Sequence, residues 1–352
     1  MEKLLMKGNE ALAEAAIRAG CKCFFGYPIT PQTELAAYLA KRMPQTGGCF
    51  LQAESEVAAI NMVYGAAGAG VRCMTSSSSP GISLKAEGIS YICGADLPCV
   101  IVNVQRGGPG LGGIQPSQAD YFQATRALGH GDSRVLVWAP NSVQEMVNVV
   151  SKAFDMADKF RMPNMILADG LLGQMMEPVT FPEAKAETTE KPWAANGHAG
   201  KREHNVINSL YLVPEELENA ILERDSRYKK LEAEATEAES YLCDDAKIVV
   251  VAFGATSRIA KSAVNYAREK GIKAGLLRPI TLWPYPSKEL NAACKNADAL
   301  LCVEMSTGQM IEDVKLATEC RKPVYFYGRT GGIIPTPKEV LGEIEKINGG
   351  KA

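Results

Sequence analysis

Short, almost uninterrupted apolar runs recur along this chain, each followed by a stretch with helical spacing, and that alternation admits few folds. Cys23-Phe24-Phe25, Cys49 to Gln52, Val71 to Thr75, Pro98 to Val104, Val135 to Trp138 and Asn164 to Leu167 mostly lack the polar residue at every second position that marks a half-solvated strand. Between them lie helical patterns: Ala11, Leu12, Ala15, Ala16 and Ile17 after a capping-type Asn9, then Leu35, Ala36 and Leu39, then Ser55 to Ala69 with Gly70 as the stop. Strands that bury both faces and alternate with helices predict an α/β fold with a parallel sheet covered on both sides.

Length sets a soft expectation of about two domains. The first is expected to span residues 1–179. From 180 to 246 Glu and Lys dominate, Pro182 and Pro192 interrupt, and strand signals fade; Pro214 to Glu239 keeps helical composition with a thin apolar stripe of Leu217, Ile221 and Leu231. This reads as an extended charged linker with one solvated helix. A second α/β unit, 247–352, begins with Ile248 to Ala252 and continues through Lys273 to Leu277, Ala299 to Glu304 and Pro323 to Tyr327, with helices between. Its Gly254 loop lacks a full G-x-G-x-x-G pattern.

Composition narrows function. A net charge of −2 and a pI near 6.1 offer no general basic field, so neither nucleic acid nor an anionic membrane is an expected partner. The first 16 residues carry Glu2, Lys3, Lys7, Glu10 and Glu14 in place of an apolar signal core, and no apolar stretch is long enough to span a bilayer. A cytoplasmic location is expected. The ten cysteines form no C-x-x-C and sit mostly in apolar runs, which reads as reduced core thiols without zinc or cluster. Three histidines argue against a histidine zinc site or a Ser-His-Asp triad.

Four strand-end loops carry unusual residues, and in a parallel sheet such loops gather at one edge, where α/β ligands bind. The first is Gly26-Tyr27-Pro28-Ile29-Thr30-Pro31, stiffened by two prolines, with Thr30 at an N-cap position and Pro31 at a first helical position. Taken alone it reads as a capped junction that needs no ligand. The second is Glu54-Ser55-Glu56, opening a helix so apolar that a glutamate there is expected to be partly buried and suited to proton handling. The third, Thr75 to Gly81, is built of small side chains that let another molecule approach the backbone. The fourth is Gln105-Arg106-Gly107-Gly108-Pro109-Gly110-Leu111-Gly112-Gly113, a lone arginine among glycines suited to clamping a carboxylate or phosphate, followed by Gln115, Ser117, Gln118 and Asp120.

These stretches, with Glu34, resemble the α subunit of the 2-oxoacid:ferredoxin oxidoreductases. The second unit agrees through Leu277-Arg278-Pro279-Ile280-Thr281-Leu282-Trp283-Pro284, Glu304-Met305 with Gly308-Gln309-Met310, and Gly328-Arg329-Thr330-Gly331-Gly332. The resemblance covers nearly the whole chain apart from the linker, with motifs in order. It implies a pyrimidine-type domain binding thiamine diphosphate, then a domain similar to a transketolase C-terminal domain. The implied reaction decarboxylates a 2-oxoacid, forms an acyl-CoA from coenzyme A and passes electrons to ferredoxin.

By the same resemblance Glu56 contacts the cofactor's pyrimidine, where a carboxyl on the ring nitrogen favours the imino tautomer that removes the C2 proton. Glu54 competes for that role, and Ser78, Ser79 and Gly81 are expected against the cofactor. Thr30 and Arg106 match the substrate contacts, with Tyr27, Pro28 and Ile29 beside them. No Gly-Asp-Gly for diphosphate and Mg²⁺ exists; Ala168-Asp169-Gly170 comes nearest, and iron-sulfur ligands are missing. The resemblance therefore implies a β subunit holding diphosphate and Mg²⁺, a ferredoxin-like iron-sulfur subunit and external ferredoxin as partners. The Gly328 to Pro337 ending looks most like the branched-chain, 2-oxoisovalerate type. The 2-oxoglutarate type is the alternative, for which Lys85 or Arg126 offers a second cation. A ferredoxin-independent thiamine enzyme component and a non-catalytic structural subunit are the rivals.

Overall fold

The computed structural model describes residues 3–126, 128–184 and 190–350. Residues 185–189 of the expected linker lie outside the described residues. The first unit runs β1 (Leu4–Lys7), α1 (Gly8–Arg18), β2 (Cys23–Gly26), α2 (Thr33–Arg42), β3 (Cys49–Gln52), α3 (Glu56–Gly68), β4 (Cys73–Ser77), α4 (Ser79–Gly94), β5 (Cys99–Gln105), α5 (Tyr121–Thr125), β6 (Leu136–Trp138), α6 (Val143–Phe160), β7 (Pro163–Asp169), α7 (Gly170–Gln174) and β8 (Met176–Val179). The second part follows as α8 (Pro214–Ala235), β9 (Ala238–Tyr241), β10 (Ile248–Val251), α9 (Gly254–Glu269), β11 (Ala274–Pro279), β12 (Thr281–Trp283), α10 (Ser287–Ala293), β13 (Ala299–Glu304), α11 (Met310–Ala317), β14 (Val324–Gly328) and α12 (Pro337–Asn348).

The fold class is as expected: two α/β units with parallel sheet cores. Every residue of β4, β5 and β7 is buried, which is why their sequences carry no polar alternation. The strand period still sorts side chains. Val100, Val102 and Val104 face the layer of α1 and α6, while Cys99 and Ile101 face α3 and α4. Each such valine or isoleucine contributes roughly 1.5–3 kcal/mol by leaving water.

The sheet edges differ from the expectation. The seven-stranded sheet has the order β12-β6-β7-β5-β4-β2-β3, so its edge strand β12 comes from the second unit and pairs antiparallel with β6, Thr281 opposite Trp138. The five-stranded sheet, β14-β13-β10-β11-β9, takes its antiparallel edge β9 from the stretch expected to be linker. Each unit thus holds an edge strand from outside its expected boundaries.

The helix of the linker is not wholly solvated. Arg224, Tyr228, Leu231 and Ala235 of α8 form its buried face, whereas Leu217 stays exposed. Arg224 Nε donates to Asp96 at 2.9 Å and its Nη2 to the Gly94 carbonyl at 2.9 Å. The two units meet around Gln118, whose N–H and side-chain oxygen exchange bonds with the Met305 backbone at 2.9 and 3.0 Å, while its amide nitrogen donates to the Phe253 carbonyl at 2.8 Å. Arg278 adds a bidentate pair to Glu145, both contacts at 2.9 Å. Among the described residues, no helix is long and apolar enough to cross a membrane.

Candidate active site

Because β3, β2, β4 and β5 are parallel neighbours, their carboxyl ends bring all four unusual loops to one edge. At the first, α2 starts at Thr33 with Gln32 at its cap position and no side-chain cap. Thr30 is exposed and does not cap the helix, contrary to the reading of its sequence position. Long-range contacts hold this turn instead. The buried Gln32 amide donates to the Tyr27 carbonyl at 3.3 Å and accepts from Ser76 Oγ at 2.5 Å, and Asn9 Nδ2 donates to the Pro31 carbonyl at 2.8 Å. Tyr27 and Pro28 project into solvent, with Ile29 half-buried.

The second loop separates the two glutamates. Ser55 caps α3, accepting from the Ala58 N–H at 3.1 Å, which sets Glu56 as the first helical residue. Glu56 is 6% exposed, whereas Glu54 is exposed. The helix geometry therefore turns Glu56 inward, towards the third loop. There a Cβ on Gly81 would stand 2.6 Å from Glu56 Oε1 and 2.1 Å from Ser77 Oγ, so only glycine admits this approach. The Ser77 hydroxyl beside it and that of the next residue, Ser78, are buried with no hydrogen-bond partner among the described residues.

Ser79 ties the third loop to the fourth. It adopts φ +24°, donates its N–H to Asn103 Oδ1 at 3.1 Å and its hydroxyl to Asp120 at 2.6 Å, and accepts from the Arg106 N–H at 3.0 Å. Burial raises the Asp120 carboxyl above its ordinary range, against the Ser79 and Asn103 contacts that lower it. Arg106, 7% exposed, reaches back to the opening turn: its Nη1 donates to the Thr30 carbonyl at 3.0 Å and its Nη2 to the Leu111 carbonyl at 3.1 Å. Its Nε has no partner among the described residues. The glycine loop is folded rather than floppy, closed by Gly107 N–H to the Gln115 carbonyl and Gly113 N–H to the Gly107 carbonyl, at 3.0 and 2.9 Å.

Beneath Thr30 opens a cavity of about 530 Å³ lined mainly by Pro31, Ile114, Pro116, Leu171, Met175 and Ile334. Asp169 lies behind it as the cap of α7, accepting from Leu171 and Leu172 N–H at 2.9 and 3.1 Å; burial lifts its carboxyl to about 6. Neither cation weighed for a second substrate carboxylate lines this cavity. Arg126 pairs with Glu312 and Asp313 at 2.6 and 2.7 Å, and Lys85 is fully buried. Asn9, Gln32 and Asn103, which order the site, were missed in the sequence because a polar residue in an apolar pattern does not name its distant partner.

The unpartnered hydroxyls of Ser77 and Ser78 and the carboxyl of Glu56, packed against the bare Cα of Gly81, form a polar cradle whose donors and acceptor suit the edge of an aminopyrimidine ring. The residues present fit thiamine diphosphate on its pyrimidine side. Comparisons agree on the class. A family model described as pyruvate flavodoxin/ferredoxin oxidoreductase, thiamine diphosphate-binding, matches residues 14–241, and one for pyruvate:ferredoxin oxidoreductase core domain II matches 246–340. The chain is 49% identical to the ketoisovalerate oxidoreductase subunit VorB of Methanothermobacter marburgensis, covering 99% of both chains. It is 36% identical to the 2-oxoglutarate synthase subunit KorA of Methanothermobacter thermautotrophicus, again covering 99% of both. Among solved structures, a 2-oxoglutarate:ferredoxin oxidoreductase from Magnetococcus marinus matches with a TM-score of 0.87 at 25% identity over 98% of this chain; the chain spans 65% of that structure's length.

Proposed function

We propose a specific role for this chain, which belongs to the 2-oxoacid:ferredoxin oxidoreductase family: it is the α subunit of an enzyme that decarboxylates a branched-chain 2-oxoacid, 2-oxoisovalerate, to an acyl-CoA and CO₂ with reduction of ferredoxin. The observation that carries the substrate choice is the cavity beneath Thr30. Its apolar lining suits an isopropyl group, and no lysine or arginine lines it to meet the second carboxylate of 2-oxoglutarate. Identity of 49% to a ketoisovalerate subunit against 36% to a 2-oxoglutarate subunit runs the same way.

Thiamine diphosphate, when bound, supplies the electron sink that decarboxylation of a 2-oxoacid requires. Glu56 holds a proton at the pyrimidine ring nitrogen, with Ser77 and Ser78 offering their free hydroxyls. Ser79 and Gly81 shape the floor of that cradle, and exposed Glu54 stands outside it. Arg106 braces the turn that presents Thr30, and both face the oxoacid carboxylate beside Tyr27, Pro28 and Ile29.

Diphosphate and Mg²⁺ belong to a β subunit, since Asp169 is engaged as a helix cap. That subunit covers α3, which is apolar almost all round yet leaves Val57 and Asn61 in solvent. A ferredoxin-like subunit carries the clusters and passes electrons to external ferredoxin. Assaying the co-expressed complex with 2-oxoisovalerate, 2-oxoglutarate and pyruvate, with coenzyme A and a viologen acceptor, tests the reading. The highest kcat/KM is expected for 2-oxoisovalerate; preference for 2-oxoglutarate overturns the substrate choice.

A further inference from the structure

A lysine is almost never fully buried without an ionic partner within bonding distance. Lys85 is such a lysine: no part of it is exposed, and its ammonium donates to a neutral acceptor, Thr75 Oγ1, at 2.6 Å. It lies on α4 four residues after Gly81, on the helix face that Gly81 presents to Glu56. Thr75 precedes Ser77 by two residues on β4, so both project to the same side of the sheet. Lys85 therefore stands one helical turn along α4 from the Gly81 contact with Glu56 and does not line the substrate cavity.

We propose that Lys85 is a positioning residue of the thiamine site: held by Thr75 behind Glu56, its ammonium stabilises the Glu56 carboxylate at the moment its proton sits on the cofactor's ring nitrogen. The inference rests on the reading that Glu56 contacts the cofactor. It also explains why a cation is kept in an apolar interior, which costs stability unless a charge nearby offsets it. Burial lowers the ammonium to about 7, and the Glu56 charge opposes that fall. The titratable groups acting on it are Glu56 on α3 and Cys99 on β5; burial pushes the Cys99 thiol far up, so it stays neutral. Loss of the Lys85 proton as pH rises through about 7 would remove the positive charge behind Glu56.

The test uses the co-expressed complex loaded with thiamine diphosphate and Mg²⁺, reading exchange of the cofactor's C2 proton with deuterium by NMR between pH 6 and 9, alongside cofactor Kd by calorimetry. Wild-type exchange is expected to decline above about pH 7. Lys85→Met is expected to slow exchange about tenfold, a loss of about 1.4 kcal/mol of stabilisation, and to flatten the pH profile while the cofactor still binds. Thr75→Val, which keeps the lysine and removes its acceptor, gives a smaller loss with the decline displaced in pH. Wild-type rate and profile in Lys85→Met overturn the inference. If Glu56→Gln abolishes exchange while Lys85→Met leaves it unchanged, only the role of Lys85 falls. If Glu56→Gln leaves exchange intact, the reading of Glu56 falls and the inference with it.

Discussion

Each α/β unit buries one glutamate where a strand gives way to a helix, and the two are treated in opposite ways. Glu304, at the end of β13, is fully enclosed and accepts from Ser306 Oγ at 2.9 Å and from the N–H groups of Gln309, Met310 and Ile311 at 3.0 to 3.1 Å. It closes the amino end of α11. Glu56, at the start of α3, packs against Gly81, which has no side chain, in a region where two serine hydroxyls lack partners among the described residues. A buried carboxylate with every lone pair engaged is part of the scaffold. One beside unengaged donors is arranged for something that arrives later.

The sharpest way to break this contrast is to neutralise both. Glu56→Gln is expected to cost at least about 100-fold in kcat, the scale of a lost proton-handling group, with a melting temperature close to wild type. A large loss of stability instead would place Glu56 in the scaffold beside Glu304. Glu304→Ala is expected to leave the α11 N–H groups unsatisfied and destabilise by about 3 kcal/mol, read from urea denaturation. An unchanged midpoint would erase the difference between the two sites.

Asp169 supplies an intermediate case, since burial raises its carboxyl while the N–H groups of Leu172, Leu171 and Ala255 pull it down. The folded-state value, about 6 against an ordinary 3.8, lies above the unfolded one. Its stabilising contribution is therefore complete below the unfolded value and lost as pH rises through about 6. Asp169→Asn is expected to gain on wild type between pH 4 and pH 7, by up to about 3 kcal/mol in chemical denaturation. A constant difference across that window would remove the raised value. Smaller still is Gly81→Ala, expected to cost about 1–2 kcal/mol of stability, because the methyl group meets Ser77 Oγ and Glu56 Oε1. Cofactor affinity should fall with it by calorimetry, and unchanged affinity would show that this glycine serves packing alone.

Much of this was legible in the residues. Apolar runs without alternation announced buried parallel strands, and their order placed four loops at one edge. The residues left Glu54 and Glu56 in competition, and only the folded cap at Ser55 turns Glu56 inward. Thr30 was misread as a cap because local spacing cannot register that Gln32 is drawn into the interior by Ser76, 44 residues away. The solvated-helix reading of α8 failed similarly, since Tyr228 and Arg224 find their partners on Arg134, Asp96 and Gly94.

By itself, then, the sequence determined the class of fold, the two-unit layout and the chemistry of the loops, all of which depend on periodicity and on residue type within a few turns. Tertiary structure alone decided which strand closes each sheet, which glutamate is enclosed and which waits, and that Lys85 stands behind Glu56. Those outcomes depend on desolvation and on pairing between residues far apart along the chain, whose energies exist only once the surfaces meet.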